Sequence, residues 1–129
     1  MNEHQSMNAK PLIAVVDDDS SLRESTQLLL WTAGYRAEGF ASAREFLVAS
    51  QAEESACLIL DVRMPEMDGL ELQRLLNEAR RQIPIIFITA GATENEERRA
   101  RQAGAVDFLR KPVNADQLLS AIRTALKEK

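Results

Sequence analysis

Acids, one hydroxyl residue and one amine recur in this chain where short apolar runs end. Asp17, Asp18 and Asp19 follow Leu12-Ile13-Ala14-Val15-Val16, and Asp61 follows Cys57-Leu58-Ile59-Leu60. Thr89 follows Ile85-Ile86-Phe87-Ile88, and Lys111 follows Val106-Asp107-Phe108-Leu109-Arg110. In an open parallel α/β sheet, ligands bind outside the carboxyl ends of the strands. Residues far apart in sequence then meet in one cleft that holds acids, a hydroxyl and an ammonium. That is the chemistry of a divalent metal beside a phosphoryl group.

Three carboxylates gathered without a counterion repel. Two unit charges about 4 Å apart interact by roughly 4 kcal/mol at a near-surface dielectric. A bound cation removes that penalty, and oxygen donors without His or thiolate partners select a hard ion. Mg²⁺ takes one or two carboxylates, waters and phosphate oxygens, and Mn²⁺ suits the same donors. The expected ligands are Asp18 and Asp61, Asp17 directly or through water, and the backbone carbonyl of Arg63. Asp61 stands on its own strand end, and a carboxylate beside the metal can attack phosphorus. Lys111 carries an ammonium on a flexible stem, and Thr89 a hydroxyl donor. With the metal they would neutralise charge on a transferring group. Pro112 fixes the backbone after Lys111, and the Lys111–Pro112 bond is a candidate for the cis form. Taken singly, an Asp after a strand is a turn or cap residue, Thr89 a turn residue and Lys111 a solvated lysine. The four strand ends together carry the reading.

The elements that must position these residues alternate five times between short apolar runs and amphipathic helical patterns. The strands are expected near Leu12–Val16, Tyr35–Phe40, Cys57–Leu60, Ile85–Ile88 and Val106–Leu109. Four are nearly all apolar, as in strands covered on both faces. The more polar Tyr35–Phe40 belongs at an edge. The first helix is expected over Ser21–Ala33 with Gly34 as its C-cap and Leu22, Leu29, Leu30 and Ala33 on one face. Ser42-Ala43-Arg44-Glu45 and Thr93-Glu94-Asn95-Glu96 read as capping boxes opening the second and fourth helices. The third follows Asp68 and aligns Leu72, Leu75, Leu76 and Ala79. The fifth opens at Asn114 and aligns Ala115, Leu118, Ile122 and Ala125. Strand–helix alternation implies a parallel sheet with helices on both faces, an α/β/α sandwich of three layers.

At 129 residues the chain fits one domain with a real core. Its net charge of -4 argues against direct nucleic-acid binding, which normally shows a basic patch. No apolar run approaches the roughly 20 residues of a membrane helix, so no membrane contact is expected. A single cysteine, Cys57, opens an apolar strand and reads as a small buried hydrophobe. With no disulfide framework this suits the cytoplasm. Residues 1–10 are polar, lack the apolar stretch of a signal peptide, and are expected to form a flexible tail, with Met7 available as a later start. Residues 11–129 are expected to form the domain.

Four segments carry a family resemblance: Val15–Asp19, Leu60-Asp61-Val62-Arg63-Met64-Pro65-Glu66-Met67-Asp68-Gly69, Ile88-Thr89-Ala90, and Gly104 to Pro112 with its Lys111-Pro112. Together they resemble the receiver domain of two-component response regulators over about residues 11 to 127. The resemblance implies the flavodoxin-like CheY fold with strand order 2-1-3-4-5. It implies Asp61 as phosphoacceptor, Asp17 and Asp18 as metal acids, and Thr89, Ala90 and Lys111 as phosphoryl contacts. It implies a switch in which Thr89 moves toward the phosphoryl group, Phe108 turns into the vacated space, and the surface of the fourth helix, fifth strand and fifth helix changes. Phe108 lacks the hydroxyl of the Tyr often found there, so a less sharply polar switch is expected.

The segment Gly104–Pro112 is similar to receivers of the NarL/FixJ type, a LuxR-type transcription-factor subgroup. No helix-turn-helix follows, so both a stand-alone regulator and the receiver of a larger transcription factor fit. Gly91–Glu97 departs from that subgroup, with Glu94–Arg98 and Glu97–Arg101 spaced as i,i+4 pairs. Arg63 and Gly91 stand two residues beyond Asp61 and Thr89, at positions that the resemblance implies line the approach to the acyl phosphate and tune its lifetime. Gly91 is expected to leave water access open on its side. His4 is the only histidine and lies in the tail. The phosphoryl group must therefore come from a sensor histidine kinase, a histidine phosphotransfer protein or a small-molecule donor. An output partner or a second copy would read the switch surface.

Three other readings compete. A haloacid-dehalogenase-type phosphatase would use Asp17 as nucleophile and Asp19 as acid, but it expects a later acidic pair where only Asp61-Val62 stands. A phosphorylation-independent receiver module would leave the acceptor residues unused. A nucleotide-binding flavodoxin-like domain lacks its Gly-rich loop.

Overall fold

In the computed structural model, which describes residues 10–127, the five apolar runs form one parallel sheet. Strands β1 (Leu12–Val16), β2 (Arg36–Phe40), β3 (Ser55–Leu60), β4 (Ile85–Thr89) and β5 (Asp107–Arg110) lie in the order β2-β1-β3-β4-β5. All neighbours pair in parallel. The polar strand β2 takes one edge, as its composition requires. The helices are α1 (Ser20–Thr32), α2 (Ala43–Val48), α3 (Gly69–Glu78), α4 (Glu94–Gln102) and α5 (Ala115–Ala125). A short 3₁₀ turn over Ser50–Glu54 precedes β3, which the sequence pattern does not announce. This strand order is the one the resemblance implies. Residues 1–9, with His4 and most of the expected tail, lie outside the described residues.

Side-chain alternation along the strands builds two cores. Ala14, Val16, Leu58, Leu60 and Phe87 face α2, α3 and α4 through Phe46, Leu72, Leu76 and Ala100. Ile13, Val15, Cys57, Ile59 and Ile86 face α1 and α5 through Leu30, Leu118 and Ile122. Each fully buried Leu, Ile or Phe contributes about 1.5–3 kcal/mol. Because successive strand residues point to opposite faces, a one-residue slip would exchange the two cores, and this pins the register.

The helix ends follow their sequence signals. Asp19, Ser42, Asp68, Thr93 and Asn114 each accept a backbone N–H at the start of a helix. Thr93 and Glu96 form a full capping box. At Ser42 the reach-back differs: Glu45 accepts from the N–H of Ala41. Ala33 caps α1, and Gly34 takes the left-handed backbone just beyond it (φ 96°).

Three expected helix faces shift. In α1, Leu30 is buried, but Leu22 and Ala33 are exposed, as are Leu28 and Trp31. Apolar residues surround this helix, so periodicity alone does not select the inward one. In α3, Gln73 is buried while Ala79 is exposed. Gln73 donates to the Ala100 carbonyl at 3.0 Å, and Asn77 to the Ala103 carbonyl at 3.0 Å. These bonds tie α3 to the C-terminal end of α4. In α5, Ala121 replaces Ala115 on the buried face. Among the described residues no helix is long and apolar enough to cross a membrane.

Candidate functional site

The sheet register builds the site. Val16 pairs with Leu60, so the residues that follow, Asp17 and Asp61, emerge side by side. Asp61 donates its N–H to the Val16 carbonyl at 3.1 Å, and Asp17 donates to the Phe40 carbonyl at 3.1 Å. Across the sheet, Lys111 donates its N–H to the Thr89 carbonyl at 2.9 Å. The ends of β1, β3, β4 and β5 thus deliver Asp17, Asp61, Thr89 and Lys111 to one rim.

The acids converge. One carboxylate oxygen from each of Asp17, Asp18 and Asp61 lies within 4.8 Å of the others. Asp17 and Asp61 are buried and Asp18 is exposed. Lys111 Nζ reaches both buried acids, at 3.2 Å from Asp17 Oδ2 and 3.1 Å from Asp61 Oδ2. Asp61 Oδ1 accepts the Arg63 N–H at 3.1 Å. Burial pushes the Asp61 carboxyl above the ordinary carboxylate range. The Lys111 hydrogen bond and the Arg63 N–H pull it down, and the Asp17 charge adds to the rise. For Lys111 burial acts downward, but the bonds and charges of Asp61 and Asp17 outweigh it and raise its pKa. All-oxygen donors, two of them buried and crowded, fit a hard divalent cation.

Asp19 has other work. Its carboxylate caps α1 by accepting from Leu22 at 3.1 Å, and its own N–H donates to Asp17 Oδ1 at 3.0 Å. It is therefore committed to the helix start, unlike the general acid of a phosphatase.

Thr89 is fully buried, and its Oγ1 accepts the Gly91 N–H at 3.3 Å. Ala90 follows it, exposed, at the end of β4. The Lys111–Pro112 peptide is cis. Phe108 is buried against Phe87, ring centroids 5.7 Å apart. The Arg110 guanidinium lies over its ring at 5.5 Å. Arg110 also donates to the Ala92 carbonyl at 2.7 Å and to Glu97 at 2.9 Å.

Two contacts around the site have no local sequence signal. Gly69 packs so tightly that a Cβ would stand 2.3 Å from the Asp61 carbonyl oxygen, so any side chain there would displace the Asp61 backbone. Arg63 crosses the mouth of the site. Its Nε and Nη2 lie 3.3 and 3.1 Å from the Gly91 carbonyl, and Nη2 lies 2.7 Å from Glu96 Oε1. A Cβ on Gly91 would meet nothing within 4 Å, so that side is open apart from the arginine. The expected Glu97–Arg101 pair forms at 3.2 Å, whereas Arg98 bonds Asn95 instead of Glu94. An apolar cleft of about 510 Å³ between α1 and α5, lined by Leu22, Leu29, Val113 and Leu118, opens onto Asp61 and Lys111.

Comparison with known proteins gives a consistent result. The family model for the response regulator receiver domain matches residues 13–123. The response regulator protein TmoT of Ectopseudomonas mendocina is 46% identical over 127 residues, covering 98% of this chain and 56% of that protein. The solved structure of the response regulator StyR superposes with a TM-score of 0.82 at 45% identity, covering 92% of this chain and 60% of that one. The solved structure of FixJ-N gives 0.82 at 31% identity, covering 93% of this chain and 96% of that one. The chain spans about half the length of the curated relatives it matches.

Proposed function

The chain belongs to the response regulator receiver domain family, and from that premise we propose that it accepts a phosphoryl group on Asp61. The observation that carries this is the placement of the Asp61 carboxylate, 3.1 Å from Lys111 Nζ and grouped with Asp17 and Asp18. The donor is a sensor histidine kinase or a histidine phosphotransfer protein. The apolar cleft beside Asp61 supports a macromolecular donor. The receiver unit comprises residues 11–129 and works in the cytoplasm.

Asp17, Asp18, Asp61 and the Arg63 carbonyl would hold Mg²⁺, with Mn²⁺ as an alternative. When bound, the ion supplies charge neutralisation at the phosphoryl oxygens. An Asp61 oxygen forms a bond to phosphorus as the donor's N–P bond breaks and its electron pair returns to the imidazole nitrogen. Lys111 shifts from the carboxylates to a phosphoryl oxygen, as an ammonium placed among anions will. Thr89 donates its hydroxyl to a second oxygen, and the Ala90 N–H to a third. Water later attacks phosphorus, releasing inorganic phosphate and restoring Asp61. The chain acts only on itself and turns over no separate substrate. Movement of Thr89 and Phe108 changes the α4–β5–α5 face, which an output partner or a second copy reads without direct nucleic-acid contact.

Intact mass after incubation with acetyl phosphate and Mg²⁺ tests the proposal. A gain of one phosphoryl group is expected in the wild type, absent in Asp61→Asn and absent without the metal. No gain with any donor would support a phosphorylation-independent module instead.

A further inference from the structure

We propose that Glu96 is a positioning residue that holds the Arg63 guanidinium on the α4 side of the mouth and so withholds it from small anionic phosphoryl donors. The inference rests on Asp61 as the acceptor.

Arg63 is joined to the acceptor by its backbone and to α4 by its side chain. Its N–H donates to Asp61 Oδ1 at 3.1 Å. Its guanidinium runs to the Gly91 carbonyl and to Glu96 Oε1 at 2.7 Å. The Glu96 end is the fixed one. Oε1 also accepts the Thr93 N–H at 2.9 Å, and the Glu96 N–H donates to Thr93 Oγ1 at 3.0 Å. The Glu96 side chain is 16% exposed, against 51% for Arg63. The carboxylate is therefore anchored in the helix start, and the arginine is the mobile partner.

The charge balance gives this arrangement a consequence. Three acids and one lysine meet at the site, so even with a divalent cation bound the site carries no net positive charge, and a small acyl phosphate brings further negative charge. A guanidinium is a fork matched to phosphate oxygens, and here it hangs from the residue bonded to the acceptor. Paired with Glu96, it offers an incoming anion no net charge. A macromolecular donor brings its own docking surface and does not depend on this attraction. A free acyl phosphate has only the contacts to its phosphoryl group to hold it, so a further cation at the mouth matters more to it. Glu96 thus discriminates against donors that would load the acceptor without a partner.

Glu96→Gln isolates the effect, because Gln also serves at this position of a capping box. Initial rates of phosphoryl gain from limiting acetyl phosphate at saturating Mg²⁺ are compared for the wild type, Glu96→Gln, Arg63→Ala, the double variant and Asp61→Asn. In each productive case the donor's P–O bond breaks, acetate leaves and an Asp61 oxygen bonds phosphorus. Glu96→Gln is expected to raise the rate about threefold at low ionic strength, the scale of one unit charge acting through solvent. The gain should shrink as salt rises and vanish in the double variant, which should match Arg63→Ala. A rate unchanged by Glu96→Gln, or a gain that survives in the double variant, overturns the inference while leaving Asp61 as acceptor. A wild type that takes no phosphoryl group, or a gain that persists in Asp61→Asn, overturns both.

Discussion

Lys111 Nζ stands 3.1 Å from Asp61 Oδ2, so the amine already bonds the carboxylate proposed to accept a phosphoryl group. Lys111 also bonds Asp17 at 3.2 Å, which makes it the shared counterion of two buried acids. One ammonium does not balance three carboxylates, and burial still raises the Asp61 carboxyl above its ordinary range.

That direction fixes a dependence on pH. A carboxyl whose pKa is raised in the folded state adds stability below its unfolded value, and this is lost as pH rises through the folded value. At neutral pH the ionised Asp61 is therefore a burden on the fold. Without divalent cations, Asp61→Asn should be more stable than the wild type at pH 7, by roughly 1 kcal/mol from relieved repulsion. The difference should close toward about pH 4. Urea unfolding in chelator at the two pH values measures it, and an equal difference at both would refute the assignment.

Gly69 is intolerant of even one methyl group. A Cβ there meets the Asp61 carbonyl oxygen at 2.3 Å and the Phe87 ring at 3.1 Å. Gly69→Ala should cost about 1–3 kcal/mol through overpacking and slow phosphoryl uptake, because the acceptor's own backbone must move. Denaturant midpoint and intact mass report the two effects. A variant with wild-type stability and uptake would show that the loop relaxes freely.

The two amide bonds from α3 to α4 should differ in worth. Gln73 is buried, whereas Asn77 is exposed. Gln73→Ala loses a buried hydrogen bond and leaves a void, about 1–2 kcal/mol. Asn77→Ala should cost about 0.5 kcal/mol or less. Paired equilibrium unfolding curves test the order.

Cys57 is fully buried, and burial pushes its thiol up to about 12 despite a backbone hydrogen bond at Leu58. It should resist a thiol-specific chromogenic reagent in the native state at pH 8 and react fully in denaturant. Rapid native labelling would show that β3 opens.

Much of this arrangement was legible in the sequence because a parallel strand covered on both faces is nearly all apolar, and the first charged residue marks its end. Asp17 and Asp61 were visible that way, whereas Lys111 stands behind two charged residues, Asp107 and Arg110, and is marked instead by the proline that follows it. Strand β5 runs one residue later than its apolar run, since Asp107 pairs with Ile86 despite its charge. The inward side of α1 was hidden because Leu22, Leu28, Leu30 and Trp31 surround the helix and only Leu30 is buried. The Arg63–Glu96 and Gln73–Ala100 bonds span 33 and 27 residues. No local period encodes a contact between two elements, so these could come only from the folded chain.

The two ends of α4 are fastened by different chemistry. At its C-terminal end, Gln73 and Asn77 grip backbone carbonyls with neutral amides, which electrolyte leaves alone. At its N-terminal end, Arg63 and Arg110 hold Glu96 and Glu97 through solvent-facing charges, which electrolyte weakens. Added salt therefore loosens the end of α4 tied to the residue after next from Asp61, while the amide bonds at the other end keep their strength.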